Sequence, residues 1–514
     1  MRVSSLALSS LAMAAAAVLS VTPAMAQKSA DTIRVALNAP FNVLSTYDLP
    51  VDEAGVISRD VYDFLLSYDE HNKKYVPALA KSWKRIDDKT LEFELKDNIK
   101  FHNGNPVQAS DVKATVDYIT DPKSKITYQT RYTWVDRIEV MGPHKFRVVA
   151  KEPTGTDLAT LAYRFQIWDG KLLNSHADRA DYSRLTPIGS GPYKVVQLDT
   201  NKGVIVERYD GFNTIPDYKK AHIKRYHAIP VPDRQTQAAQ LMTGNLDLLR
   251  NVAPDQAKAL VENPALRMTY IQAPDLFYLA LDSMGLSGNK ALSDQRVRRA
   301  IHMAIDRAEI IKHIVPGGEV AEHVQADCFK TTIACKYSVL PPKYDPEGAK
   351  KLLAEAGYPN GFDLVYHVFA PNKPIGEAVA GYLHKVGVRT AVQPVEIGLY
   401  RRLQGDGKLQ AWSILFPTGS YPDAGNIFSV LFSGPAMQYY NDQIIADAMV
   451  KGEAEFDEAK RAEIYKVAFD RINEMHYHLP ISSIPTVFVH SKDVKVNPGK
   501  LSAGVTYATD FSWQ

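Results

Sequence analysis

PALAKSWKRIDDKTLEFELKDNIKFHNGNPVQASDVKATVDYI, residues 77–119, holds a strand, a tight loop and a helix start in one continuous run. Over 90–96, Leu91, Phe93 and Leu95 alternate with Glu92, Glu94 and Lys96, the period-two pattern of a half-buried strand. Asp111 stands where a helix N-cap is expected, ahead of Val112, Val116 and Ile119. Gly104 and Pro106 shape the loop between the two elements. Upstream, Trp83 follows Pro77 and Leu79 and reads as a large apolar body anchoring a helix end before the Asp87-Asp88 turn.

Outward from this stretch, strands are expected at 146–150 and 204–208. The clearest helix is 294–314, where Val297, Ile301, Ala304, Ile305, Ala308 and Ile311 form an apolar stripe with Arg296, Arg298, Arg299 and Lys312 mostly off it. Pro316-Gly317-Gly318 cannot continue it. A second helix, 346–356, ends before Gly357, a residue suited to the left-handed C-terminal position. Strands alternating with helices make parallel sheets in more than one domain the expectation.

The chain has 514 residues, 45% hydrophobic and 23% charged, enough for two to four folded domains and unlike a disordered or fibrous protein. Lys and Arg number 60 against 58 Asp and Glu, so there is no electrostatic footprint for nucleic acid or an anionic membrane. Arg2, the apolar run 6–21, Pro23 and the small-residue triplet Ala24-Met25-Ala26 have the layout of a secretory signal. Cleavage after Ala26 leaves Gln27 first, and a soluble chain in the periplasm is the expectation, an uncleaved anchor the alternative. Cys328 and Cys335, the only cysteines, then read as a disulfide closing a short loop, worth about 2.5 kcal/mol in the chain-entropy model. A metal pair would need a second ligand pair nearby, which is missing.

Catalytic motifs are absent from the sequence. Gly189-Ser190-Gly191 is a turn before Pro192 and not a nucleophile elbow, Gly405-Asp406-Gly407 lacks a third glycine, and no zinc helix or phosphate loop occurs. His476 and His478 flank Tyr477 at the end of the amphipathic segment 462–475, and their spacing points them to different faces, so solvated or capping roles are expected rather than a metal site. Asp87-Asp88 and Asn441-Asp442 fall at expected turns. No enzyme, cofactor or resident metal is indicated, and a secreted hydrolase stays only as a distant alternative.

Residues 77–119 resemble the signature of the bacterial extracellular solute-binding proteins of the peptide/nickel/opine group (family 5), which serve ATP-binding-cassette (ABC) importers. The Pro-x-Leu-Ala-x-Ser-Trp opening, the two-Asp turn, the Lys-Phe-His-x-Gly-x-Pro loop and the Asp-Val helix start occur in the family's order. PIGSGPYKV (187–195), ERYDGF (207–212), LSDQRVRRAIHMAID (292–306) and YDPEGAKKLLAEAGYPNGF (344–362) resemble later blocks, so the likeness covers nearly all of the chain after the signal. The resemblance implies an α/β, two-lobed periplasmic-binding-protein fold (type II, three-domain variant) with a hinged central cleft. One lobe would comprise 27–68, 186–275 and 490–514, an extra domain 69–185 would pack against it, and 276–489 would form the other lobe. Gly189-Ser190-Gly191-Pro192, by itself either a surface turn or a change of direction between domains, then lies near the return from the extra domain. The implied partners are a small-molecule ligand and an inner-membrane ABC permease, with the protein a monomer and no nucleic acid involved.

The pocket departs from the dipeptide-binding members. These typically hold the ligand's ammonium with an Asp three residues after a Trp, and its carboxylate with an Arg on a loop after an upstream strand. Here Trp412 is followed at +3 by Leu415, with Thr418 the other residue that could fall at the Asp position, and HVFAPNKPI (367–375) contains no Arg. A pocket lacking both counter-charges should reject a zwitterionic dipeptide, because unpaired buried charges cost several kcal/mol. Expected liners are Tyr47, Phe277, Tyr278, Trp412, Phe416, Thr418 and Tyr421, with Asp423, ahead of Asp275, the acid placed to meet a cationic group. Alternatives within the family are an oligopeptide receptor and a metal-chelate (nickel-type) receptor using His476, His478 or His367.

Overall fold

The computed structural model describes residues 30–47, 52–69, 71–124, 126, 129–215, 219–272, 275–318, 325–329, 332–417, 423–497 and 507–514. The expected signal segment lies outside them, and no described helix is long and apolar enough to cross a membrane.

Three larger sheets organise the chain. A seven-stranded sheet runs in the order Leu266–Ile271, Thr486–Ser491, Leu248–Arg250, Thr32–Leu37, Arg225–Pro230, Gly203–Arg208 and Tyr193–Asp199. A second runs Val388–Val395, Phe362–Phe369, Ala411–Ser413, Asp275–Leu281 and Leu415–Pro417, with His478–Ser483 on the far edge of Asp275–Leu281. The third is an antiparallel sheet of Ala80–Asp87, Thr90–Leu95, Lys145–Ala150 and Val135–Val140. The parallel-sheet expectation is corrected here. Among the described strands, Thr32–Leu37 pairs in parallel with its two neighbours and Phe362–Phe369 with its two, and the other ladders are antiparallel.

The chain passes between the first two sheets twice. Leu266–Ile271 leads into Asp275–Leu281, and His478–Ser483 leads back into Thr486–Ser491. The crossings run side by side, Ile484 N–H donating to Asp275 O at 2.8 Å and Ser483 Oγ to Gln272 Oε1 at 3.3 Å. Thr486–Ser491 belongs wholly to the first sheet, so the sheets change a few residues before the expected 489/490 boundary.

Locally, four expectations change. Trp83 lies in strand Ala80–Asp87, opposite Phe93, because cross-strand packing overrides a weak apolar alternation. The helix expected to start at Asp111 is Ala109–Thr120, and Asp111 sits in its first turn, accepting from Gln108 N at 2.7 Å and Gly170 N at 2.8 Å. The helix over 294–314 is two helices, Gln295–Met303 and Arg307–Ile314, since Asp306 caps the second by accepting from Glu309 N at 3.1 Å. Glu92, on the expected solvent face, is covered by Lys84, Lys145 and Arg147, whose contacts hold its carboxyl at about 2.

Two sequence blocks meet physically. His102 of the Lys-Phe-His loop clamps the glycine turn, its Nε2–H donating to Gly191 O at 2.9 Å while Nδ1 accepts from Gly189 N at 3.3 Å, which fixes the tautomer. A β-carbon at Gly189 would lie 1.9 Å from Val61 O and one at Gly191 2.4 Å from Asp60 O, so only glycine lets this turn press on the end of helix Asp52–Val61. Asn103 and Asn105 complete the clamp by donating to Asp169 Oδ2 at 2.8 and 2.7 Å.

Candidate ligand-binding site

Strand Ala411–Ser413 places Trp412 between Ala280 and His367 on neighbouring strands of the second sheet. Around it gather rings from distant parts of the chain. Tyr439 lies 4.7 Å and Tyr440 6.4 Å from it, centroid to centroid, and Tyr400, from helix Ile397–Gly405, hydrogen-bonds Trp412, Tyr278 and Gln404. Tyr278 stacks on His478 at 4.8 Å. His478 in turn bonds Asp327 through Nδ1 and the Tyr440 hydroxyl through Nε2, both at 2.6 Å. Burial raises the tyrosine pKa values, that of Tyr439 to about 12 and those of Tyr278 and Tyr440 well above the usual value. The result is a wall of aromatic rings whose hydroxyls stay protonated at neutral pH.

The expected liners separate. Trp412 and Tyr278 come together in this wall, and Trp412 is only 2% exposed. Phe277, one residue earlier on the strand, faces the opposite side by strand alternation and packs with Leu279 and Leu281 in the second sheet's core, away from Trp412 and Tyr278. Tyr47 is buried against 132–168, its hydroxyl donating to Gln166 O at 2.8 Å and its ring against Tyr132 and Trp168. Phe416 is in strand Leu415–Pro417, paired with Leu276, and Thr418 and Tyr421 lie outside the described residues. Leu415, at the +3 position, is half-buried against the second core.

Asp423 is fully buried and meets Arg461, Nη2 to Oδ2 at 2.7 Å, while its other oxygen caps helix Ala424–Leu431 through Gly425 N at 2.8 Å. The acid expected to meet a cationic ligand group is therefore already faced by a cation from the chain itself. Burial raises its pKa and Arg461 pulls it back. Cys328 and Cys335 are bridged, and their loop reaches both features, with Asp327 on His478 and Ile333 O accepting from Ala424 N at 2.9 Å.

The histidines divide as well. His476 is the left-handed C-cap of helix Glu458–Met475, as expected of a capping residue, but His478 is buried with both nitrogens engaged and is not solvated. Tyr400, Tyr439, Tyr440 and Asp327 were not expected at the site. The Tyr439-Tyr440 doublet is visible in the sequence, yet its pairing with His478 and Trp412 depends on contacts far apart along the chain.

A family profile described as bacterial extracellular solute-binding proteins, family 5 Middle, matches residues 74–439. The chain is 27% identical over 461 residues to a glutathione-binding protein of Pectobacterium atrosepticum, covering 85% of this chain and 86% of that protein. NikA from Brucella suis in complex with Fe(III)-EDTA matches with a TM-score of 0.80 at 21% identity, over 94% of this chain and all 100% of that one. A dipeptide-binding protein from Pseudoalteromonas sp. SM9913 in complex with Met-Leu matches with a TM-score of 0.74 at 20% identity, over 94% and 100%. These likenesses show the periplasmic-binding-protein fold.

Proposed function

The chain belongs to the family 5 bacterial extracellular solute-binding proteins, the binding components of ABC importers, and we propose that it captures a small, partly apolar organic solute in the periplasm. Capture takes place between one lobe of 27–68, 186–275 and the segment from strand Thr486–Ser491 to 514 and another that runs from 276 to the strand His478–Ser483, with 69–185 packed on the first. The paired crossings at Asp275 and Ile484 suit a hinge between them. The closed monomer hands its solute to an inner-membrane permease, and the signal is removed after Ala26, so the intact mass of periplasmic protein should begin at Gln27.

One observation carries the ligand class: the wall around Trp412 is made of tyrosine hydroxyls and rings, with Leu415 at the counter-acid position and Asp423 engaged by Arg461. Asp327, the carboxylate of this wall, already pairs with His478, so a zwitterionic dipeptide or glutathione would bring charges left without counter-charges, each costing several kcal/mol when buried unpaired. Direct metal ligation by His478 is disfavoured by its two existing hydrogen bonds.

A thermal-shift and calorimetry panel tests this reading with Ala-Ala, Met-Leu, glutathione, Fe(III)-EDTA and a set of partly apolar neutral or singly charged solutes. A true ligand at 100 times its Kd adds about 2.7 kcal/mol of stability, and the dipeptides and glutathione add none. Micromolar binding of Ala-Ala would overturn the ligand class and leave the family standing.

A further inference from the structure

Gly155, in the loop before helix Asp157–Tyr163, has both backbone groups satisfied from the far lobe. Its N–H donates to Glu453 O at 2.6 Å, and its carbonyl accepts from Arg461 Nη1 at 2.9 Å. The approach leaves no room for a side chain, since a β-carbon on Gly155 would sit 2.0 Å from Glu455 O. Arg461, on helix Glu458–Met475, directs Nη2 to Asp423 and also donates to Glu455 O at 3.0 Å. The Arg461 and Asp423 side chains are 2% and 0% exposed.

Two flanking contacts extend the same junction. The Arg85 guanidinium lies 3.8 Å from the Phe456 ring centroid and pairs with Asp157 at 2.7 Å, and Arg164 Nη2 donates to Asn426 Oδ1 at 3.0 Å. One guanidinium therefore joins the contact with the extra domain to the buried acid that caps helix Ala424–Leu431.

We propose that Gly155 and Arg461 are positioning residues for solute capture, forming a latch that holds the lobes closed, with Arg461 fixed in place by Asp423. The proposal rests on the two-lobed reading above and not on which solute is bound. In an open form the Arg461–Asp423 pair persists within its own lobe, while Gly155 loses its partners to water. The contact therefore acts differentially on the closed state, and apparent affinity scales with the closed fraction.

The test uses the full mature chain, purified with whatever solute it carries, and spin-labelled at Lys123→Cys and Lys451→Cys, two exposed positions on opposite sides of the junction. Pulsed electron-electron resonance on this parent should show a dominant short-distance population. Gly155→Ala should move most of it to longer distances and release the copurified solute about tenfold faster, with the solute-free melting temperature unchanged because its clash exists only when closed. Arg461→Lys, which retains a cation beside Asp423 but loses the fork, should fall between. An unaltered distance distribution in Gly155→Ala, or a parent with no short population, would overturn the latch. The distances report closure whatever the solute, so failure of the ligand class alone leaves them readable.

Discussion

Replacing Trp412 by alanine should cost the solute-free protein about 3–5 kcal/mol, the range for removing a buried aromatic side chain. The ring is 2% exposed, lies 4.7 Å from Tyr439 and hydrogen-bonds Tyr400, so the truncation empties a space ringed by rigid side chains and removes one of the Tyr400 hydroxyl's partners. Trp412→Phe keeps most of the ring and loses the indole N–H, for about 1–2 kcal/mol. Taking roughly 2–4 °C per kcal/mol for a cooperative unit of 150–250 residues, alanine should lower the melting temperature by about 6–20 °C and phenylalanine by about 2–8 °C. Scanning calorimetry on solute-free protein reads these shifts. Calorimetric titration well below both transitions reads affinity, and the phenylalanine variant isolates what the indole contributes to the solute. A solute-free melting temperature for Trp412→Ala within about 2 °C of the parent would refute the packing described for this wall.

His102→Leu breaks both hydrogen bonds of the glycine-turn clamp and should destabilise by about 2–3 kcal/mol in urea melts; a loss below about 0.5 kcal/mol would show that the clamp is idle. Burial holds the His102 pKa down at about 4, so its contribution is complete above the ordinary 6.5 and is lost as pH falls through about 4, a dependence the leucine variant should lack. Asp60, which anchors the C-terminal segment through Ala508 N at 2.6 Å and Thr509 Oγ1 at 3.2 Å, has the opposite sign. Burial pushes it from 3.8 to about 7 against the pull of Lys219, so its contribution declines as pH rises from about 4 to about 7; Asp60→Asn should flatten that window, and an unchanged slope would contradict the assignment. The paired Cys328→Ser and Cys335→Ser protein should lose about 2.5 kcal/mol, and two titratable thiols in unreduced native protein would contradict the bridge.

What was legible in the sequence was local and periodic. The strand over 90–96 and the helix over 346–356 are found as Thr90–Leu95 and Pro346–Glu355, because alternation, an Asp-Pro start and a terminal glycine at φ +93° are near-neighbour signals. The break at Asp306 escaped because the apolar stripe runs on through it, and the same Asp that looks like a surface residue restarts the helix. Trp83 misled for the converse reason, since its strand is specified by Phe93 across the ladder. Site residues suffered most. Asp423 reads as an open loop acid until Arg461 is brought beside it, and the Tyr278, Tyr440 and His478 contacts join three segments that no periodicity links. Phe277 and Tyr278 are adjacent in sequence, and only the pleat decides which of the two reaches Trp412.

Native mass spectrometry of the protein taken directly from the periplasm tests the central claim most directly, because it weighs whatever the closed lobes have retained. A one-to-one complex with a single small organic species that is neither a dipeptide nor glutathione, on a monomeric chain, is the expected result. A stoichiometric dipeptide or glutathione adduct would contradict the charge-poor aromatic wall built around Trp412.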